Sequence, residues 1–120
     1  MCDASAQDRK ELIRRCRSRG TRRREFSPER PTKWHPTSLI DPATGDPFTG
    51  DSCWTFVADA MEAGAPIEVM VLKKPPGKRG FVLKLAGHKD ETIYVKLQLL
   101  SEVVLGRSFH ISGTGHDEDE

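Results

Sequence analysis

Tyr94, Lys96 and Gln98 recur at every second position of residues 92–99, while Ile93, Val95, Leu97 and Leu99 take the positions between them. That is the period of a half-buried strand, so a phenol, an ammonium and an amide line one face and the apolar groups line the other. After a short turn at Leu100, Ser101 and Glu102, the β-rich run 103–111 closes with Ser108 and His110 on one parity. Paired as neighbours, the two segments bring Tyr94, Lys96, Gln98, Ser108 and His110 onto a single non-core surface. Metal-free cleavage of RNA needs a base for the 2′-hydroxyl proton, cations for the charged phosphorane and an acid for the leaving 5′-oxygen. His110 is a base or an acid of that kind, because imidazole titrates near neutrality. Lys96 and Arg107 can face phosphate oxygens, Tyr94 can stack on a base or donate its hydroxyl, and Gln98 or Ser108 can orient the scissile group.

Arg107 breaks the pattern. Strict alternation through 103–111 sets it beside Val103, Leu105, Phe109 and Ile111, and a buried, unpaired guanidinium is not tolerable. Gly106 just before it is the natural place for a β-bulge or a close backbone approach, either of which re-aims Arg107 toward the polar face or the sheet edge.

The elements that must position these groups are bounded by the chain's size. At 120 residues there is one modest core's worth of sequence, and no apolar run approaches the roughly 18 residues of a membrane span. The start, Met-Cys-Asp-Ala-Ser-Ala-Gln-Asp, has no basic then apolar leader, so a cytoplasmic protein with no membrane partner is expected. Cys2, Cys16 and Cys53 form no Cys-x-x-Cys pair, and His35, His88, His110 and His116 lack ligand spacing; reduced thiols and neither metal nor other cofactor are expected. The formal net charge of +1 hides a separation: residues 1–33 hold 11 of the 19 Lys and Arg against 5 of the 18 acids. That basic end is a candidate polyanion contact, arginine's planar fork being suited to phosphate.

Along the chain, a helix over 9–19 capped by Ser5 or Asp8 carries only a narrow stripe of Leu12, Ile13 and Cys16, and so is expected to lie loosely on the rest or to dock only with a partner. Residues 1–33 thus read as a basic helix and arm. Residues 34–50 read as a Pro-rich connector pinned by Trp34, Leu39, Ile40 and Phe48. Residues 51–111 form the core unit: a helix over 52–63 with Cys53, Trp54, Phe56, Val57, Ala60 and Met61 on one side, then strands near 67–73, 81–86, 92–99 and 103–111. The first of these strands should be covered on both faces or nearly so. Residues 112–120 read as an acidic disordered tail. The expected fold is α+β: two helices followed by a four-stranded antiparallel meander, helices on one face and the other face open. The link 73–80 lacks the Gly-x4-Gly-Lys-Ser/Thr pattern of a phosphate loop, which disfavours nucleotide hydrolysis. Its Lys78 and Arg79, with Lys84 on the next strand, suit a single-stranded nucleic acid beside an open basic face.

The run Ile93-Tyr-Val-Lys-Leu-Gln98, a short turn, then Val103-Val-Leu-Gly-Arg-Ser-Phe-His110 resembles the carboxy-terminal strands of the MqsR-type toxins, RelE-like messenger-RNA interferases of bacterial toxin-antitoxin systems. That family has a Tyr-x-Lys strand followed by one closing with Ser-Phe-Lys. The likeness spans about the last quarter of the chain. It implies a RelE-like fold, with Tyr94 in the place of the family's functional tyrosine and His110 in the place of its terminal lysine. It further implies an endoribonuclease acting on RNA, free or presented by the ribosome, with a protein antitoxin as partner. The alternative from a different class is a non-catalytic RNA-binding or protein-interaction module using the Arg-rich start.

Overall fold

In the structure, a computed structural model that describes residues 2–23, 33–72 and 77–112, apolar side chains at helical and at alternate spacing converge between two helices and one sheet. In chain order the elements are β1 (Cys2–Asp3), α1 (Ala6–Cys16), β2 (Arg22–Arg23), β3 (Lys33–Trp34), α2 (Ser52–Glu62), β4 (Glu68–Val71), β5 (Arg79–Ala86), β6 (Thr92–Leu99) and β7 (Val104–Ile111). Residues 24–32 of the basic arm, 73–76 of the cationic link and 113–120 of the expected acidic tail lie outside the described residues.

The expected four-stranded antiparallel meander is wrong as a fold class. The described sheet has seven strands and is mixed, in the order β1-β4-β5-β6-β7-β2, with β3 also on β7. β4 to β7 pair antiparallel in succession. β2 and β3 then run parallel along the outer edge of β7, and β1 closes antiparallel on β4. A bare strand edge carries unpaired N–H and C=O groups, and these short strands satisfy them.

The helices owe their ends to local chemistry. The Ser5 hydroxyl accepts from the Asp8 amide at 3.0 Å and starts α1 three residues earlier than the sequence suggests. At α2, Thr49 and Ser52 cap each other: the Ser52 amide donates to Thr49 Oγ1 at 2.9 Å and the Thr49 amide to Ser52 Oγ at 2.8 Å. Gly64, at φ 99°, closes that helix in a conformation costly for any residue with a Cβ.

α1 does not lie loosely. Leu12 and Cys16 are fully buried in the common core with Trp54, Val57 and Met61 of α2 and Phe81, Leu83, Val95 and Phe109 of the sheet. Burial pushes the Cys16 thiol up to about 12, which leaves it an inert core group. Several arginines of the basic end pair with acids at or just before α2. Arg17 pairs with Asp59 and Glu62, and Arg19 and Arg22 both reach Asp51. Hydrogen bonding from Arg19 first, and from Arg22, holds the Asp51 carboxyl below its ordinary value. A lowered value means the pair's contribution is present above the ordinary carboxylate range and lost as pH falls through the lowered one.

Arg15 is the strongest staple. Its Nε donates to Glu11 at 2.7 Å, and its Nη1 donates to the carbonyls of Leu100 at 2.8 Å and Val103 at 3.1 Å, in the turn joining β6 to β7. Replacing it with methionine keeps the stem and removes those bonds. Arg15→Met is expected to cost about 1–3 kcal/mol in a urea titration; an unchanged midpoint would mean the clamp contributes nothing.

The connector is pinned as its apolar residues require. Trp34, Leu39 and Phe48 are buried in the core, and Ile40 bridges to Pro47 across the 41–46 turn. β4, by contrast, is less covered than its apolar sequence suggests: Glu68, Val69 and Met70 are half-buried and Val71 is 67% exposed at the end of the strand.

Candidate functional site

Alternation along β6 sends Ile93, Val95 and Leu97 toward the helices and Tyr94, Lys96 and Gln98 to the far face. The register then decides which residues of β7 join them. Tyr94 stands opposite His110 and Lys96 opposite Ser108, but Leu97 stands opposite Gly106, so Arg107 is an extra residue in a bulge. The expected remedy for Arg107 is the one observed. Its Nη1 donates to Gln98 Oε1 at 2.6 Å, on the far face.

Gly106 permits the arrangement because of Trp34. A Cβ at Gly106 would meet the Trp34 ring at 2.7 Å, closer than side-chain carbons come. The indole also packs on Trp54, at 4.7 Å between ring centroids, and on Phe109, at 5.3 Å. Gly106→Ala therefore drives a methyl into an aromatic cluster with no slack. It should lower stability by about 1–3 kcal/mol, read as a shifted urea midpoint at constant slope. A midpoint equal to wild type would show the approach to be relaxed.

On the far face the rings of Tyr94 and His110 stack, 5.3 Å between centroids and 21° from parallel, and Lys96 Nζ lies 5.7 Å from the Tyr94 centroid. His110 Nδ1 is 3.0 Å from the Ile111 carbonyl. A carbonyl only accepts, so Nδ1 carries the hydrogen and, in the neutral ring, Nε2 carries the lone pair. Tyr94, Lys96, Gln98, Arg107, Ser108 and His110 thus share one face. The expectation that this face is open does not hold: Lys96, Arg107 and Ser108 are fully buried, Tyr94 and Gln98 nearly so, and His110 is half-buried. Tyr, Lys, Gln and Ser in alternation are compatible with a wet face and with a covered one, so the pattern did not decide between them.

The three accessory cations part company. Lys84 pairs with Tyr94 in register and is exposed at the rim of the same face. Arg79 follows the parity of Phe81 and Leu83 to the helix side, where it pairs with Asp8 at 3.1 Å and lies over the Phe81 ring. It is no part of the site. Lys78 is exposed beside the Gly77 turn.

Two cations that sequence reasoning missed join the face. β3 sets Lys33 opposite Ser108, and β2 sets Arg23 opposite Leu105. The neighbouring residues confirm the sides, since Trp34 packs on Phe109 and Arg22 lies over Trp54, both in the core layer. Two-residue strands have no readable period, so the sequence marked both residues only as part of a basic end and set neither on this face.

Among the described residues, three clefts lie away from this face. The first, about 560 Å³, runs between the 41–44 turn and the outer side of α2, with Asp41, Thr44, Ser52, Phe56 and Asp59 on its walls. None of the three is lined by Tyr94, Lys96, Gln98, Arg107, Ser108 or His110, and only Lys84 reaches one of them. Among the described residues no cluster of His, Cys, Asp and Glu could hold a metal ion, and no helix is long and apolar enough to cross a membrane. Comparison of the chain with protein-family models, with curated proteins and with solved structures gives no match in any of the three.

Proposed function

We propose that this chain is an endoribonuclease of toxin type, cleaving RNA by attack of a 2′-hydroxyl on the adjacent phosphodiester, with a protein antitoxin as its natural partner. One observation carries the reading: register and bulge gather an imidazole, a phenol, an ammonium and a guanidinium on one sheet face, the set that this transfer requires. His110 Nε2 takes or returns the proton. Lys96 and Arg107, the latter held by Gln98, supply positive charge for the phosphorane, and the stacked Tyr94 hydroxyl is a further donor. The likeness of residues 93–110 to the carboxy-terminal strands of MqsR-type toxins adds support. Because Lys96, Arg107 and the Nε2 atom of His110 are buried, catalysis on this reading requires the face to open to the phosphodiester.

That same burial favours a second reading, in which the polar floor is structural and the protein binds RNA without cutting it. The two separate in one assay. Purified protein is incubated in EDTA with unstructured RNA, both free and on programmed ribosomes. Fragments in either arm support the nuclease; RNA that is retained by the protein at low salt and recovered whole supports the binding module; RNA neither bound nor cut removes both.

A further inference from the structure

The cations of the far face are not spread evenly. At the β1 and β4 edge, Asp3 and Glu68 are register partners and follow the parity of Met70, so the face begins with acids. Toward the other edge come Lys84 on β5, Lys96 on β6, Arg107 and His110 on β7, and finally Lys33 on β3 and Arg23 on β2. A polyanion is repelled from the first edge and drawn to the last. The exposures differ in the same sense: Lys96, Arg107 and the Nε2 atom of His110 are floor, whereas Lys33 is half-buried and Arg23 is exposed, its Nη1 resting on the carbonyls of Gly20 and Arg22. Parallel pairing holds Arg23 beside Leu105 and Lys33 beside Ser108. The two positions are roughly 7 Å apart, since the bulge at Arg107 leaves their β6 counterparts, Gln98 and Lys96, two residues of strand apart at ~3.3 Å each. That is far enough for them to meet different phosphates of one strand.

We infer that Arg23 and Lys33 form a phosphate track along the β7 edge, which binds the backbone of a single-stranded RNA and leads it to His110. The inference rests on the reading of this face as the RNA site and names the contacts by which the substrate is held. The short strands β2 and β3 then have a use beyond closing an edge, because each sets one cation at a fixed height along β7. Binding by such a track is independent of base sequence and sensitive to salt.

The test uses the full chain and an oligodeoxythymidine of about twelve nucleotides, within the length a single-strand groove engages. It lacks the 2′-hydroxyl and so binds without being cut. Affinity is measured across a salt series. Arg23→Ala and Lys33→Ala are each expected to weaken binding about five- to tenfold at low salt, and each to reduce the slope of log affinity on log salt by about 0.7, the increment for one phosphate on a single strand. Lys10→Ala, an exposed cation on α1, should change neither. Lys33→Gln keeps most of the stem and guards against a folding artefact, and should match Lys33→Ala. Wild-type affinity and slope in both track variants, or no oligonucleotide binding by wild type, would overturn the track. If the variants bind weakly while His110→Ala still cuts RNA, the nuclease site is wrong and the track stands; if binding is unchanged while cleavage depends on His110, the reverse holds.

Discussion

His110→Ala should abolish measurable RNA cleavage, with a loss of about 10²–10⁴-fold, the usual worth of a positioned acid or base. The fold should survive the change. His110 is half-buried near the end of β7, and its ring contributes a bond to the neighbouring Ile111 carbonyl and a stack on Tyr94 rather than core packing. Thermal melting and far-UV spectra of the variant are therefore expected to match wild type, separating lost chemistry from lost structure. Full cleavage by His110→Ala would leave the imidazole without a catalytic role.

Trp34→Ala is expected to be the most damaging change for the fold, costing about 3–5 kcal/mol as judged by urea unfolding. The indole is buried against Trp54 and Phe109 and lies on the Cα of Gly106, in the gap that only a glycine leaves. Removing it opens a cavity between α2, β3 and β7 and takes away the surface that fixes the bulge. Since total stability of such domains is about 5–15 kcal/mol, the change removes a large share of it. Loss of less than about 1 kcal/mol, by the same measurement, would mean the neighbours collapse into the space at little cost.

Much of the site was legible because its signals are local. The two-residue period of 92–99 places Tyr94, Lys96 and Gln98 on one face whatever the rest of the fold does. The conflict over Arg107 was also visible, as a guanidinium that parity buries with apolar neighbours beside the one residue able to relieve it. What sequence hid was decided by distant partners. Arg17 and Arg22 looked like phosphate ligands because their partners, Asp59 on α2 and Asp51 just before it, lie about thirty to forty residues further on. β1, β2 and β3 have two residues each, too few for a period, and their pairing turns an expected antiparallel meander into a mixed sheet. The covering of the far face followed from no pattern in β6 or β7, since alternate polar residues leave both outcomes open. Arg79 lies on the helix side because β5 begins two residues before Phe81, inside what reads in sequence as the cationic link.

The most direct measurement is the chemistry of the RNA ends left by the purified protein in EDTA. Attack by the 2′-hydroxyl leaves a 2′,3′-cyclic phosphate on one fragment and a 5′-hydroxyl on the other, and a single 2′-deoxy substitution at the cut site should block the reaction. Fragments ending in 3′-hydroxyl and 5′-phosphate, or cleavage that persists at the deoxy position, would contradict the role given to the face of Tyr94, Lys96, Arg107 and His110.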